Sequence, residues 1–113
     1  MINFLLQDRA LADHDLSTLQ AIGYGSSAIP AQVLRQGLER LRCDFYQGMG
    51  MTELAGNVLH LDYDAHRRAA GGESRLLAAA GKPMRLVDIR IVDDAMRDVP
   101  TGTWGRWWSA ATR

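Results

Sequence analysis

Six consecutive residues, Gly48-Met49-Gly50-Met51-Thr52-Glu53, combine groups that can meet a phosphate and its metal. Glycines let backbone N–H groups approach a phosphate or a ring closely. A threonine hydroxyl can bond a phosphate oxygen. A carboxylate beside it can hold Mg²⁺, which keeps several waters and needs few protein oxygens. Taken alone, the six residues fit a tight loop with an ordinary Thr-Glu helix start better than they fit a site.

The flanking elements say where this segment must sit. Leu19–Tyr24 is short and apolar, with Gly23 and Gly25 at its end, which reads as a buried strand. Pro30 suits the first turn of a helix, where its missing N–H costs nothing. That helix should run to about Arg42, with Leu34, Leu38 and Leu41 lining one face. Gly37 in its middle should cost up to about 1 kcal/mol relative to alanine. Asp44–Gln47 is a second short strand. Strand, helix, strand at this spacing is a βαβ unit and implies a parallel sheet. Ligands of such sheets bind outside the carboxyl ends of the strands. Gly25–Ser27 and Gly48–Glu53 occupy those ends, so both segments belong at one edge of the sheet.

The rest of the chain reads more coarsely. Met1–Leu6 is helical, and Asp13–Ser17 is polar and turn-like. Ala65–Ala80 is helical at both ends and interrupted by Gly71-Gly72. Gly81-Lys82-Pro83 reads as a turn, Leu86–Val92 as a strand with Asp88 and Arg90 alternating against Val87, Ile89 and Ile91, and a last strand starts at Thr103. The change of pattern divides the chain into an α/β part, residues 1–80, and a β-rich part, residues 81–113.

Composition narrows the class. The 113 residues are 47% apolar and 23% charged, as in soluble globular proteins. Thirteen basic residues balance thirteen acidic ones, which gives no support to a nucleic-acid partner. The single cysteine, Cys43, reads as a buried structural thiol and fits a reducing compartment. No apolar run approaches the ~18 residues of a membrane span, and the amino terminus lacks the features of a secretory leader, so a cytoplasmic location is expected. His14, His60 and His66 show no metal spacing and read as surface or loop residues. Asp62 and Asp64 read as a solvated turn, and Arg67-Arg68 as surface.

The stretch DLSTLQAIGYGSSAIPAQVLRQGLERLRCDFYQGMGMTE resembles the adenylate-forming enzymes, and specifically fatty-acyl-CoA synthetases (long-chain fatty-acid–CoA ligases). AAAGKPMRLVDIRIVDD and DVPTGTWG resemble that family's G-[KR]-P turn, its β segment and the approach to a Gly-Glu strand. The resemblance covers nearly the whole chain. It implies an α/β fold: a partial βαβ parallel-sheet layer of the large N-terminal adenylation domain, followed by a β-rich segment. It also implies ATP or AMP, Mg²⁺ and coenzyme A as cofactors, and a fatty acid or other carboxylic acid as substrate. The carboxylate would attack the α-phosphate of Mg·ATP to give an acyl-adenylate and pyrophosphate, and the thiol of coenzyme A would then displace AMP.

By the same resemblance, Gly25, Ser26 and Ser27 match the segment lining the adenine and acyl pockets. Gln47, Gly48 and Gly50 belong to the nucleotide loop. Thr52 matches the threonine on the α-phosphate, and Glu53 the glutamate that binds Mg²⁺. Met49 stands where the family usually has a tyrosine against the adenine; a thioether can still cover a ring face. The family's phosphate loop and its lysine-bearing domain have no match within the sequence, so it reads as an internal fragment that is inactive alone. A small nucleotide- or partner-binding module and one piece of a split synthetase are the alternatives.

The carboxyl end departs from the family. A Gly-Glu strand of valines is expected after DVPTGT, where the chain has Gly105-Arg106-Trp107-Trp108-Ser109. The two tryptophans fix TGGTGG. With Arg106 as AGG and Ser109 as TCN, reading one base out of register gives three valine codons. A one-base frameshift near Gly105 is therefore expected; a native Trp-Trp strand end is the alternative.

Overall fold

A computed structural model describes residues 1–54 and 56–111. Strand β1 (Ala21–Gly25), helix α2 (Ala31–Leu41, the second after α1 at Ile2–Gln7) and strand β2 (Asp44–Met51) form a βαβ unit. β1 and β2 pair in parallel, from Ala21↔Asp44 to Gly25↔Gly48. Pro30 lies one position before the helix, in an extended conformation. Leu34 and Leu41 are buried and Leu38 is half-buried, so the apolar face expected of the helix meets the core. At Gly37, a Cβ would come within 2.6 Å of the Phe45 ring, which is itself fully buried. The glycine weakens the helix locally and lets it sit close to the sheet.

The sheet then turns antiparallel. β3 (Gly56–Leu61) pairs with β2 across an irregularity between Met49 and Gly50, and β4 (Lys82–Pro83) pairs with β3. The sheet is thus mixed, in the order β1-β2-β3-β4, and the parallel expectation holds for β1 and β2 alone. β2 also continues past Gln47, so most of the glycine-rich segment is strand. Gly81-Lys82-Pro83, expected as a turn, closes the sheet instead. Gly81 turns the chain at φ +102°, and a Cβ there would strike the His60 carbonyl. One edge of β1 has no strand partner among the described residues.

Helix α3 (Tyr63–Ala70) is capped by Asp62, whose side chain accepts from Ala65 N–H at 2.8 Å. Glycines 71 and 72 then end it, and a short 3-10 turn follows at Ser74–Ala78. The bidentate Arg67–Asp44 pair, at 2.7 Å and 2.9 Å, ties α3 to the start of β2. Such an exposed pair contributes about 0–1 kcal/mol; the larger stabilisation is the apolar cluster of Leu6, Leu11, Leu34, Leu41, Phe45 and Leu77. Cys43 is buried, as expected, and burial pushes its thiol above the ordinary value.

A separate antiparallel hairpin joins β5 (Val87–Val92) to β6 (Arg106–Ala111), with Ile91 opposite Trp107 and Arg90 opposite Trp108. The final strand begins at Arg106, three residues later than expected, because Pro100 to Gly105 form the connection. The last two residues of the expected shifted tail lie outside the described residues. No helix among the described residues is long and apolar enough to cross a membrane.

Candidate nucleotide-facing edge

Parallel pairing brings the two glycine-rich segments side by side. Gly25, the last residue of β1, is in register with Gly48 of β2. A Cβ on Gly25 would lie 2.7 Å from the Gly48 carbonyl oxygen, so the close approach requires the missing side chain. β2 runs on to Met51, three residues beyond Gly48, and ends in a 3-10 turn at Thr52–Leu54. Thr52 and Glu53 therefore stand just beyond the carboxyl end of the strand. Both are exposed, and Glu53 makes no ion pair among the described residues.

The other sequence-designated residues occupy different surroundings. Ser26 and Ser27 are exposed and follow β1 directly. Ser26 adopts φ +66°, a left-handed conformation that turns the chain sharply away from the strand. Met49 is half-buried and pairs with Leu59. Gly50 faces β3, and a Cβ on it would collide with the Gly56 carbonyl. Its glycine is thus already required by strand packing. Gly48 is covered by the Asn57 side chain, a neighbour that no local pattern singles out.

Gln47 is buried, and its side chain belongs to a hydrogen-bonded group on the helix-covered side of the sheet. The Tyr24 hydroxyl lies 3.3 Å from Gln47 Oε1 and 2.8 Å from His66 Nε2. His66 Nδ1 lies 2.7 Å from the Asp62 carbonyl oxygen. His66 is 0% exposed, which corrects its expected place on the surface. It sits on the inner face of α3 and meets the Tyr24 ring edge-on at 5.5 Å between centroids. His14 is exposed, as expected, and Arg67 and Arg68 are exposed and ion-paired. Desolvation pushes the Tyr24 hydroxyl up to about 12.

Burial also lowers His66 from its ordinary value of 6.5, against smaller opposing effects of Asp62. The unfolded chain then binds a proton at this residue that the folded chain resists. The neutral-imidazole contribution to stability is complete above about pH 6.5 and declines as pH falls through the window below it. The urea midpoint of the chain is expected to drop between pH 7.5 and pH 5.5. His66→Gln should flatten that slope, since the carboxylates with lowered values (Asp15, Asp62, Glu73 and Asp93) titrate further down.

A groove of about 520 Å³ runs beside β1, lined among others by Ile22, Tyr24, Gly25, Ser27, Ile29 and Val33. Its size is that of a small-molecule site. Among the described residues no three His, Cys, Asp or Glu side chains converge to form a metal cluster. Any metal at this edge would rest on one carboxylate and the ligand's own oxygens, the manner in which Mg²⁺ is commonly held.

The family profile described as "AMP-binding enzyme" matches residues 1–111. A fatty acid–[acyl-carrier-protein] ligase, ScoC of Streptomyces coeruleorubidus, is 32% identical over 105 residues, covering 93% of this chain and 20% of the relative. A long-chain-fatty-acid–CoA ligase of Thermus thermophilus is 33% identical over 99 residues, covering 80% of this chain and 18% of the relative. Among solved structures, the amide bond synthetase McbA of Marinactinospora thermotolerans superposes with TM-score 0.79 at 27% identity, over 97% of this chain and 21% of that one. The chain thus spans about one fifth of the length of the curated relatives it matches.

Proposed function

Because the chain belongs to the AMP-binding enzyme family, we propose that it forms the nucleotide-contacting centre of a fatty-acid–CoA ligase. The observation that carries this reading is the register of Gly25 beside Gly48, with Thr52 and Glu53 just beyond the end of β2. In this reading the Thr52 hydroxyl bonds the α-phosphate of ATP. Glu53 holds the accompanying Mg²⁺, and its exposed carboxylate, without an ion pair among the described residues, fits that duty. Gly25, Ser26 and Ser27 line the adenine and the start of the acyl site, with Gln47, Gly48, Met49 and Gly50 in the nucleotide segment beside them. The enzyme's contribution is alignment and charge stabilisation at the phosphoryl oxygens. A fatty acid and coenzyme A complete the reaction.

The fatty-acyl choice rests on the two ligases named for fatty acids and on the apolar lining of the groove beside β1. A relative from Amycolatopsis named as a feruloyl-CoA synthase, 36% identical over 91 residues, marks the competing choice of an aromatic acid. Nothing within the 113 residues resembles the family's phosphate loop or its lysine domain. The chain would therefore act with further polypeptide that supplies them. We also propose that the codons from about Gly105 are read one base away from the ancestral frame, which the nucleotide sequence tests directly.

Two measurements test the function. The purified chain is expected to give no acid-dependent ATP–pyrophosphate exchange. Exchanged for the matching stretch of the Thermus ligase, residues 1–104 should support acyl-CoA formation with long-chain fatty acids. Exchange by the chain alone, or a chimera active only with aromatic acids, would overturn the proposal.

A further inference from the structure

The buried group that joins Tyr24, Gln47 and His66 spans three elements: β1, β2 and α3. It has a direction that simple donor and acceptor counting fixes. The Asp62 carbonyl can only accept, so the proton between it and His66 must be on Nδ1, 2.7 Å away. In the neutral imidazole Nε2 is then a bare acceptor. The Tyr24 hydroxyl, 2.8 Å from Nε2, must donate to it. A hydroxyl has one proton, so it has none left for Gln47 at 3.3 Å. In the structure Gln47 turns Oε1 toward that hydroxyl, so the chain of donors is completed by turning the Gln47 amide over, its N–H then donating to the hydroxyl oxygen. With the amide so turned, the order is Gln47 N–H to Tyr24 O–H to His66 Nε2, with His66 Nδ1–H donating to Asp62.

This ordering matters because of what the three residues neighbour. Tyr24 and Gln47 are in register across the parallel pair, one residue before Gly25 and Gly48. Every buried side-chain polar atom in the described structure has a partner within reach, and the group is satisfied once the Gln47 N–H faces the hydroxyl. A satisfied buried network specifies one arrangement, whereas a broken one leaves costly unpaired groups.

We propose that His66 is a positioning residue: acting through Tyr24, it fixes Gln47 and thereby the placement of Gly25 beside Gly48 in the nucleotide segment. The proposal rests on the nucleotide reading for its functional meaning, but its geometry does not. Charging His66 would put a proton on Nε2, reverse the Tyr24 hydroxyl and bring Gln47 back to presenting Oε1 to it. The titratable groups around His66 are Tyr24 from β1, Asp62 at the start of α3 and His60 from β3. Of these only Asp62 favours the charged form.

The test needs no nucleotide, so its failure is distinct from failure of the ligase reading. In the full ¹⁵N-labelled chain at pH 7, long-range imidazole correlations should show His66 in the Nδ1–H form alone. Amide hydrogen exchange then reads the positioning. His66→Leu, which removes the acceptor, should speed exchange at Gly25 and Gly48 about tenfold, while Gly37 in α2 changes little. His66→Gln, whose carbonyl can take the Tyr24 proton, should restore slow exchange to within about threefold. Tyr24→Phe should match His66→Leu. A mixed or Nε2–H tautomer in the parent chain overturns the proposal, even where a variant fails to fold. So does equal acceleration of Gly37, or an equal effect of the leucine and glutamine variants.

Discussion

Phe45→Ala is expected to destabilise the chain by about 3–5 kcal/mol, the usual cost of deleting a buried phenylalanine. Folded domains are stable by only about 5–15 kcal/mol in total. Phe45 is fully buried, and its ring is the surface on which the helix α2 rests at Gly37. The hairpin of β5 and β6 shares little with this cluster, so it offers no compensating support. Urea unfolding followed by circular dichroism should show a large fall in midpoint. Gly37→Ala should also destabilise, because its new Cβ meets the ring at 2.6 Å. The two changes touch each other and should not add: the alanine methyl should cost less once the ring is gone. Additive effects would show that the helix does not rest on the ring.

The second large effect concerns Thr52 and Glu53. In the chimeric Thermus enzyme carrying residues 1–104, Glu53→Gln and Thr52→Val should each lower kcat/KM for acyl-CoA formation by about 10²–10³-fold. Removing the carboxylate should also raise the Mg²⁺ concentration needed for half-maximal rate. Both side chains are exposed and make no hydrogen bond among the described residues, so folding should be unaffected. A loss below about threefold for both variants, in an enzyme that still unfolds at the parent midpoint, would remove them from the site.

Local pattern carried much of this architecture. The i, i+4, i+7 leucines located α2, and strand–helix–strand spacing placed Gly25–Ser27 and Gly48–Glu53 at one edge. What local pattern cannot carry is pairing over distance. β3 begins with Gly56-Asn57, a poor strand signal, and exists because β2 and β4 flank it. Lys82-Pro83 has the chemistry of a turn, yet Lys82 pairs with His60. Gly37 looked like a helix defect because Phe45, its partner, lies on another element. His66 looked like a surface histidine because Tyr24, its partner, is 42 residues away. The glycine-rich segment was legible as a place of close approach. Part of that approach is to Gly56 and Asn57 of the protein itself.

The pairing of Gly25 with Gly48 also makes assembly of this edge a matter of folding kinetics. The two glycines are joined through a single crossover helix, so the chain between them is short and the loop to be closed is modest. Neither glycine has a side chain to hold it near the other before the strands zip together. The edge consequently forms in the same event as the parallel pair, and no sooner. Pulsed amide hydrogen exchange at Gly48 should thus report the rate at which the βαβ unit closes.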